Sequence, residues 1–344
     1  MHKYQILKDL VAFDTIKDKE NEAIINYIEK FLLNQGFKTE HKSKNLVMKI
    51  GNNPKLGFLG HTDTVEYIDG WGSNPHEITL KDGNIYGLGT CDMKGGIAAM
   101  LQAVSETDFS KMKNGMKLYF TYNEEIAFGG VYDLIKSKER FPETMIFGEP
   151  TNNEILVGGK GFLEYELDFV GIKAHSSNPA KGKSANLNAI KFLSKLDEFY
   201  SNEIRIFEDE NYEIPYTTMN IGIINGGSAM NSVAASCKVK MDFRIIDNNH
   251  IDKIKKKVEE LAEIYECKIK IIDCFDAYIN ETDLTTEKKT ANFLTEASAV
   301  KNIKKAILGP GPMTPHEVNE HISEESYNKL VRQYKEIIQK KCKG

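Results

Sequence analysis

Apolar residues recur with two different periods along the first third of the chain. Between Lys19 and Gln35, the residues Ile24, Ile25, Ile28, Phe31 and Leu32 fall on one helical face. Gly36 stops that helix in the left-handed turn that glycine takes most readily. Residues 45–50 and 55–60 are short apolar runs read as strands. A helix over 93–106, a strand over 116–122, a helix over 129–138 and a strand over 144–148 continue the series. Strands alternating with helices predict an α/β layer on a mostly parallel sheet.

From residue 160 the rhythm changes. A strand over 160–170 leads to a helix over 184–200, then strands over 217–224 and 234–246. A helix over 250–265 and a strand over 268–273 complete a βαββαβ order, the split βαβ pattern of a compact second domain. The α/β character then resumes with a helix over 287–299, a strand over 304–308, a Gly/Pro loop and a final helix over 323–341. The expected organisation is a discontinuous first domain, 1–159 and 277–344, interrupted by an inserted domain, 160–276. No internal repeat or low-complexity segment is found.

Composition narrows the class. At 344 residues two domains are expected, each able to bury a core. Hydrophobic residues at 41% and charged residues at 28% exclude disordered, collagen-like and membrane-bundle chains. Lys+Arg 45 against Asp+Glu 50 gives −5, without the basic excess of a nucleic-acid-binding protein. Cys91, Cys237, Cys267, Cys274 and Cys342 are odd in number and form no CxxC pair. Neither a disulfide framework nor a Cys-rich zinc site is therefore expected. The N-terminus lacks the apolar stretch of a signal peptide, and no window approaches about 18 consecutive apolar residues. The chain reads as cytoplasmic, with no nucleic-acid or membrane partner.

Candidate chemistry gathers at strand ends. Strand 55–60 runs into His61-Thr62-Asp63, and a strand over 84–88 runs into Gly89 and Asp92. Strand 116–122 runs into Asn123-Glu124-Glu125, strand 144–148 into Glu149-Pro150-Thr151, and strand 304–308 into a loop ending at His316. Singly, each has an ordinary reading: a solvated loop, a turn at Glu149-Pro150, or Asp92 capping the helix it precedes. Five such segments at equivalent ends of one sheet point instead to a metal site of nitrogen and oxygen ligands. The crevice beyond strand carboxyl ends is also where open α/β sheets bind ligands.

These residues resemble the M20 metallopeptidase family. The likeness rests on His61-Thr-Asp-Thr-Val65, Gly87-Leu-Gly-Thr-Cys-Asp-Met-Lys-Gly95, Glu124-Glu125 and Gly148-Glu-Pro-Thr151. It extends through Gly171-Ile-Lys-Ala-His175, Asn220 to Gly227, Asn231 and Asp242-Phe-Arg244 to essentially the whole chain. The resemblance implies a zinc-peptidase-like α/β catalytic domain with a mixed sheet, and a ferredoxin-like lid that also forms a homodimer. It implies two Zn2+ ions, with Co2+ able to substitute. His61, Asp92 and Glu149 would hold one ion; Asp92, Glu125 and His316 the other, with Asp92 bridging. Asp63 would orient His61, and Glu124 would be the general base. A cis peptide is implied after Asp92. His175 would stabilise the oxyanion, in the family from the partner subunit. Arg244, with Asn231, would bind the substrate's carboxylate. His321 competes with His316 as the last ligand, because Pro315 precedes His316 and His321 stands where the family has a tyrosine; the spacing from His316 to Glu320 matches the family and assigns the metal to His316. Cys91 beside Asp92 is read as a packed core thiol. Outside the family context, His175 is an ordinary loop histidine and Arg244 an ordinary strand arginine in an ion pair.

The implied reaction is hydrolysis of the amide bond of an N-acyl amino acid or dipeptide. Trp71, Asp82 to Gly89, Gly148 to Thr151 and Lys160-Gly161 resemble the acetylornithine deacetylase branch. Succinyl-diaminopimelate desuccinylase, N-acetyl-lysine deacetylase and the dipeptidases and carboxypeptidases are alternatives that motifs do not separate. A non-catalytic binding protein on the same scaffold is the rival from another class, and the retained Glu124 argues against it.

Overall fold

The structure, a computed structural model, describes residues 3–17 and 19–343. Its elements begin with α1 (Gln5–Val11), α2 (Asn21–Asn34), β1 (Lys38–Lys42), β2 (Asn45–Ile50) and β3 (Pro54–His61). Next come β4 (Thr79–Lys81), β5 (Asn84–Tyr86), α3 (Lys94–Ser105), β6 (Gly115–Thr121), α4 (Glu124–Ala127), α5 (Gly129–Lys136) and β7 (Thr144–Phe147). Then follow β8 (Gly158–Gly159), β9 (Gly161–Val170), α6 (Ala185–Phe199), β10 (Thr218–Gly226), β11 (Ser236–Ile245), α7 (Asn248–Tyr265), β12 (Cys267–Phe275) and β13 (Tyr278–Ile279). The chain closes with β14 (Lys304–Ile307), β15 (His321–Ser323) and α8 (Glu324–Cys342). No helix among the described residues is long and apolar enough to cross a membrane.

Two compact units result. The first runs through Val157 and resumes over Asn280–Lys288 and from Thr295 onward; the second is Gly158–Ile279 with Lys289–Leu294. In the first, a six-stranded mixed sheet has the order β1-β2-β6-β3-β7-β14. The neighbours β6, β3, β7 and β14 are parallel, and β1 and β2 add an antiparallel edge. Helices α3 and α8 pack together beside it. Helix α8 buries Tyr327, Leu330, Val331, Tyr334 and Ile338, the i, i+3, i+4, i+7 stripe of a core-facing helix. Its cap is Ser323, whose hydroxyl accepts the Ser326 N–H at 3.0 Å, an interaction worth about 1 kcal/mol. Helix α3 is buried nearly all round. A Cβ at Gly96 would stand 2.3 Å from the Gly148 carbonyl oxygen, and one at Gly95 would stand 2.1 Å from that of Thr90. Only glycine lets this first turn lie so close to the segment that leads into Glu149.

The second unit is a four-stranded antiparallel sheet, β10-β11-β9-β12, with α6 and α7 on one face. Strict alternation does the sorting. Leu163, Tyr165, Leu167 and Phe169 of β9 face the helices with Val239, Met241, Phe243 and Ile245 of β11. The other face carries charge: Lys238 pairs with Glu166 at 2.5 Å and with Asp168 at 3.3 Å.

Two expectations are corrected. The helix expected over 287–299 is absent; only Glu296–Ser298 makes a single 3-10 turn. The backbone there is spent elsewhere: Ala291 N–H donates to Gly158 O at 2.9 Å and Lys160 N–H donates to Ala291 O at 3.1 Å. Thr290 donates its hydroxyl to the distant Asn211 O, and Thr295 accepts the Ala297 N–H as the cap of that single turn, so the helical conformation begins only there. The strand expected over 84–88 ends at Tyr86 and lies in a small sheet, β15-β5-β4, outside the central sheet. Helix α1 and edge strand β1, not anticipated as elements, complete the first unit.

Candidate metal centre

The first unit brings seven of the candidate residues together. His61 is the last residue of β3, and Glu149 lies two residues past the parallel neighbour β7. Glu124 and Glu125 open α4 just beyond β6, after Asn123 at φ 55°. Asp92 lies in the loop before α3, next to a cis Asp92–Met93 peptide. His316 sits between β14 and β15 at φ 61°, a left-handed conformation uncommon for a residue with a Cβ and one that clusters at functional sites.

The distances define two groups with one member in common. His61 Nε2 is 3.1 Å from Asp92 Oδ1 and 3.7 Å from Glu149 Oε1. His316 Nε2 is 3.5 Å from Asp92 Oδ2 and 3.2 Å from Glu125 Oε2. Within each triad the ligand atoms lie within 4.8 Å of one another, and His61, Glu124 and Glu125 form a third such group. The two Asp92 oxygens thus face different histidines. His61 Nδ1 is 3.0 Å from the Asp63 carbonyl oxygen, which can only accept. Nδ1 therefore carries a proton, which leaves Nε2 as the ring atom that can give up its proton to ligate an ion. The Asp63 carboxylate stands 3.6 Å from Nδ1 and accepts the N–H groups of Glu124 and Glu125 at 3.2 Å each. It holds the start of α4 as well as the imidazole.

Electrostatics show what this cluster is suited to bind. Asp63, Asp92, Glu124, Glu125 and Glu149 surround two imidazoles. Like charges 4 Å apart repel by about 4 kcal/mol at an effective dielectric near 20. Burial, and then Asp92, pushes Glu149 up to about 8. Burial also pushes Glu124 well above the usual carboxylate range, with Glu149 and Glu125 adding to the effect. Hydrogen bonds to Asp92 and Glu125 push His316 up to about 10. Burial opposes protonation of His61, but Glu149, Asp63 and Asp92 outweigh it and hold its pKa well above 6.5. Asp92 and Asp63 are held low: burial raises each, and the two histidines at Asp92, or His61 with the Glu124 and Glu125 N–H groups at Asp63, more than reverse that. Carboxylates that gather protons in the absence of cations, converging with two imidazoles on shared points, suit two divalent ions bound by oxygen and nitrogen.

The remaining candidates belong to none of these ligand groups. His321 begins β15, with its ring 4.8 Å from that of Tyr86 and Nδ1 3.0 Å from Asn319 O. Cys91 is buried and its burial raises its pKa, so it is a packed thiol. In the second unit His175 is exposed, and its Nδ1 accepts the Ser177 N–H at 3.2 Å, which leaves the proton on Nε2. The Asn231 carbonyl accepts the Ser176 N–H at 3.0 Å, so Asn231 and His175 share one loop pair. Arg244 stacks 4.3 Å over the Phe162 ring and reaches Asp242 at 3.2 Å.

Sequence reasoning missed two buried glutamates. Glu296 accepts the Thr121 hydroxyl at 2.8 Å, and burial pushes it up to about 7. It sits in a Thr/Ala stretch that carries no signal. Glu320 accepts three backbone N–H groups of the Asp92 loop. Its offset from His316 was visible, its partners were not.

Known proteins place the chain. The profile described as Peptidase family M20/M25/M40 matches residues 57–340. The chain belongs to that family. It is 29% identical to the acetylornithine deacetylase of Pasteurella multocida (strain Pm70), over 99% of this chain and 98% of the relative. It is 30% identical to the acetylornithine deacetylase of Yersinia pestis, over 90% and 88%. Among solved structures, a tripeptidase from Staphylococcus aureus subsp. aureus Mu50 superposes with TM-score 0.81 at 23% identity, covering 97% of this chain and 96% of that one. An M20 family metallo-carboxypeptidase from Sulfolobus solfataricus gives 0.79 at 18%, covering 97% of both. A Bacillus subtilis protein described as a dinuclear metal-binding M20 peptidase gives 0.72 at 12%, covering 98% and 97%. These structural likenesses establish the zinc-peptidase-like fold.

Proposed function

We propose that this M20 member is a metal-dependent amidohydrolase that removes the acyl group from an N-acyl amino acid, as its acetylornithine deacetylase relatives are named for doing. The observation that carries the reading is the pair of ligand triads sharing Asp92, with Glu124 4.0 Å from His61. In this reading His61, Asp92 and Glu149 hold one ion and Asp92, Glu125 and His316 the other, zinc in both, with cobalt as a functional substitute. When bound, the ions supply Lewis acidity for the amide carbonyl and make water a nucleophile near neutral pH.

The chain's own groups do the rest. Glu124 takes the proton of the attacking water and returns it to the leaving amine. Its burial raises its affinity for that proton. Asp63 holds the backbone of Glu124 and Glu125 in place. His175, with its proton on Nε2, donates to the oxyanion as the carbonyl becomes tetrahedral. Arg244 and Asn231 read the free carboxylate of the amino acid, a planar task suited to guanidinium. Homodimerisation through the second unit is part of the proposal. It is supported by exposed Leu187 and Ile190 on α6 and by Ile223 and Ile224 on edge strand β10. The cytoplasm, and amino-acid biosynthesis, are the setting that fits.

The test is a panel of N-acetylornithine, N-acetyl-lysine, N-succinyl-diaminopimelate and dipeptides, assayed for released amine with Zn2+ or Co2+ added to chelator-treated protein. Metal-dependent release, fastest with an N-acetyl amino acid, is expected. Faster dipeptide or succinyl cleavage would reassign the substrate. Tight substrate binding without turnover would leave the binding-protein reading.

A further inference from the structure

Glu320 is buried and lies in neither ligand triad. Its Oε2 accepts the Gly89 N–H at 2.8 Å, and its Oε1 accepts those of Cys91 and Asp92 at 2.7 and 2.9 Å. Its main-chain carbonyl accepts the Gly87 N–H at 3.0 Å. One residue thus grips the loop that delivers Asp92 from behind. The same residue closes the short segment that begins at His316. We propose that Glu320 is the positioning residue that couples the two ligand triads: it fixes Asp92 relative to His316 and so sets the affinity for the second metal ion. This rests on the reading that Asp92, Glu125 and His316 hold that ion.

The two triads differ in what else supports them. His61 and Glu149 follow adjacent, hydrogen-bonded parallel strands and are buried. Their spacing is set by the sheet. His316 is exposed and left-handed, on a loop with no sheet of its own. That loop is tied down by Thr314, whose hydroxyl donates to His321 O at 2.8 Å and accepts the His321 N–H at 3.0 Å, and by Glu320. Loss of the Glu320 clamp therefore bears mainly on the His316 triad. A carboxylate is required for it. Three N–H groups converge on two acceptor oxygens, and a glutamine would turn its NH2 toward at least one donor. Groups that orient metal ligands typically carry about 10–100-fold in metal affinity.

The experiment titrates metal-stripped, full-length protein with Co2+, followed by calorimetry and visible absorption. Glu320→Gln should bind the first ion within about threefold of wild type and the second at least about tenfold more weakly. Its cobalt spectrum should change only in the second half of the titration. Glu149→Ala and His316→Ala serve as controls for the triads. If His316→Ala still binds two ions, the ligand reading fails, independently of the clamp. A folded Glu320→Gln that binds both ions as wild type does, even with a lower Tm, overturns the proposal by making Glu320 purely structural. Equal weakening of both ions also overturns it. Should Glu320→Gln not fold, Glu320→Asp keeps the charge but falls one methylene short, with the same expected pattern. Failure of both to fold even with Co2+ present would assign Glu320 to the fold alone.

Discussion

Without metal, Glu149 should work against the fold at alkaline pH. Its buried carboxyl is pushed from 4.5 up to about 8, by burial and then by Asp92. Between those values the folded chain keeps a proton that the unfolded chain has released. The folded state binds more protons there, so its stability falls as pH rises. At about 1.4 kcal/mol per tenfold change, the full span amounts to about 5 kcal/mol as an upper bound, reached above pH ~8. Glu149→Gln keeps the shape and removes the titration. In chelator, urea unfolding should find the variant no more stable than wild type near pH ~4.5 and several kcal/mol more stable near pH ~9. Saturating zinc should reverse the order. Wild type then gains about 4 kcal/mol per ion at a thousandfold excess over Kd, while the variant lacks a ligand of the first triad. A chelated variant whose advantage does not grow with pH would refute the reasoning, because it would mean that Glu149 stays ionised in the folded chain at little cost.

Three further outcomes are expected. Glu124→Gln should keep near-normal metal content while kcat falls by about 10²–10⁴; retention of a tenth of the activity would remove Glu124 from proton transfer. His316→Ala should leave about one metal per chain by elemental analysis, and His321→Ala should leave two; the reverse result would exchange their roles. Arg244→Ala should erase the preference for a free acid over its carboxamide, and Arg244→Lys should not restore it, since lysine lacks the planar fork; wild-type cleavage of both analogues at equal kcat/KM would sink the carboxylate assignment.

The legible part of this molecule was its periodicity and its strand-end chemistry. His61, Glu124 and Glu149 each follow a strand of the central sheet closely, so their convergence could be read from order alone. Asp92 could be found by motif but not placed, since the strand before it lies in a separate small sheet and its loop is held by Glu320. Periodicity also misled over 287–299, where apolar spacing suggested a helix but the Ala291 backbone pairs with Gly158 and Lys160 and Thr290 reaches Asn211. The burial of Glu296 and Glu320 could not be foreseen, for one reason. A glutamate reads as a solvated side chain until tertiary structure supplies the donors that let it be buried.

The first turn of α3 sets a limit on how this protein can be improved or can drift. Alanine in place of a helical glycine ordinarily stabilises by about 1 kcal/mol, and position 96 looks like an obvious choice for it. Here the added methyl group would meet the Gly148 carbonyl at 2.3 Å. Relief requires either the helix or the strand end to back away, and the strand end leads into Glu149. Such a substitution would strain the packed interior and displace the first ligand triad at once. A change that helix propensity alone scores as a gain is closed at this position, to engineering and to drift alike.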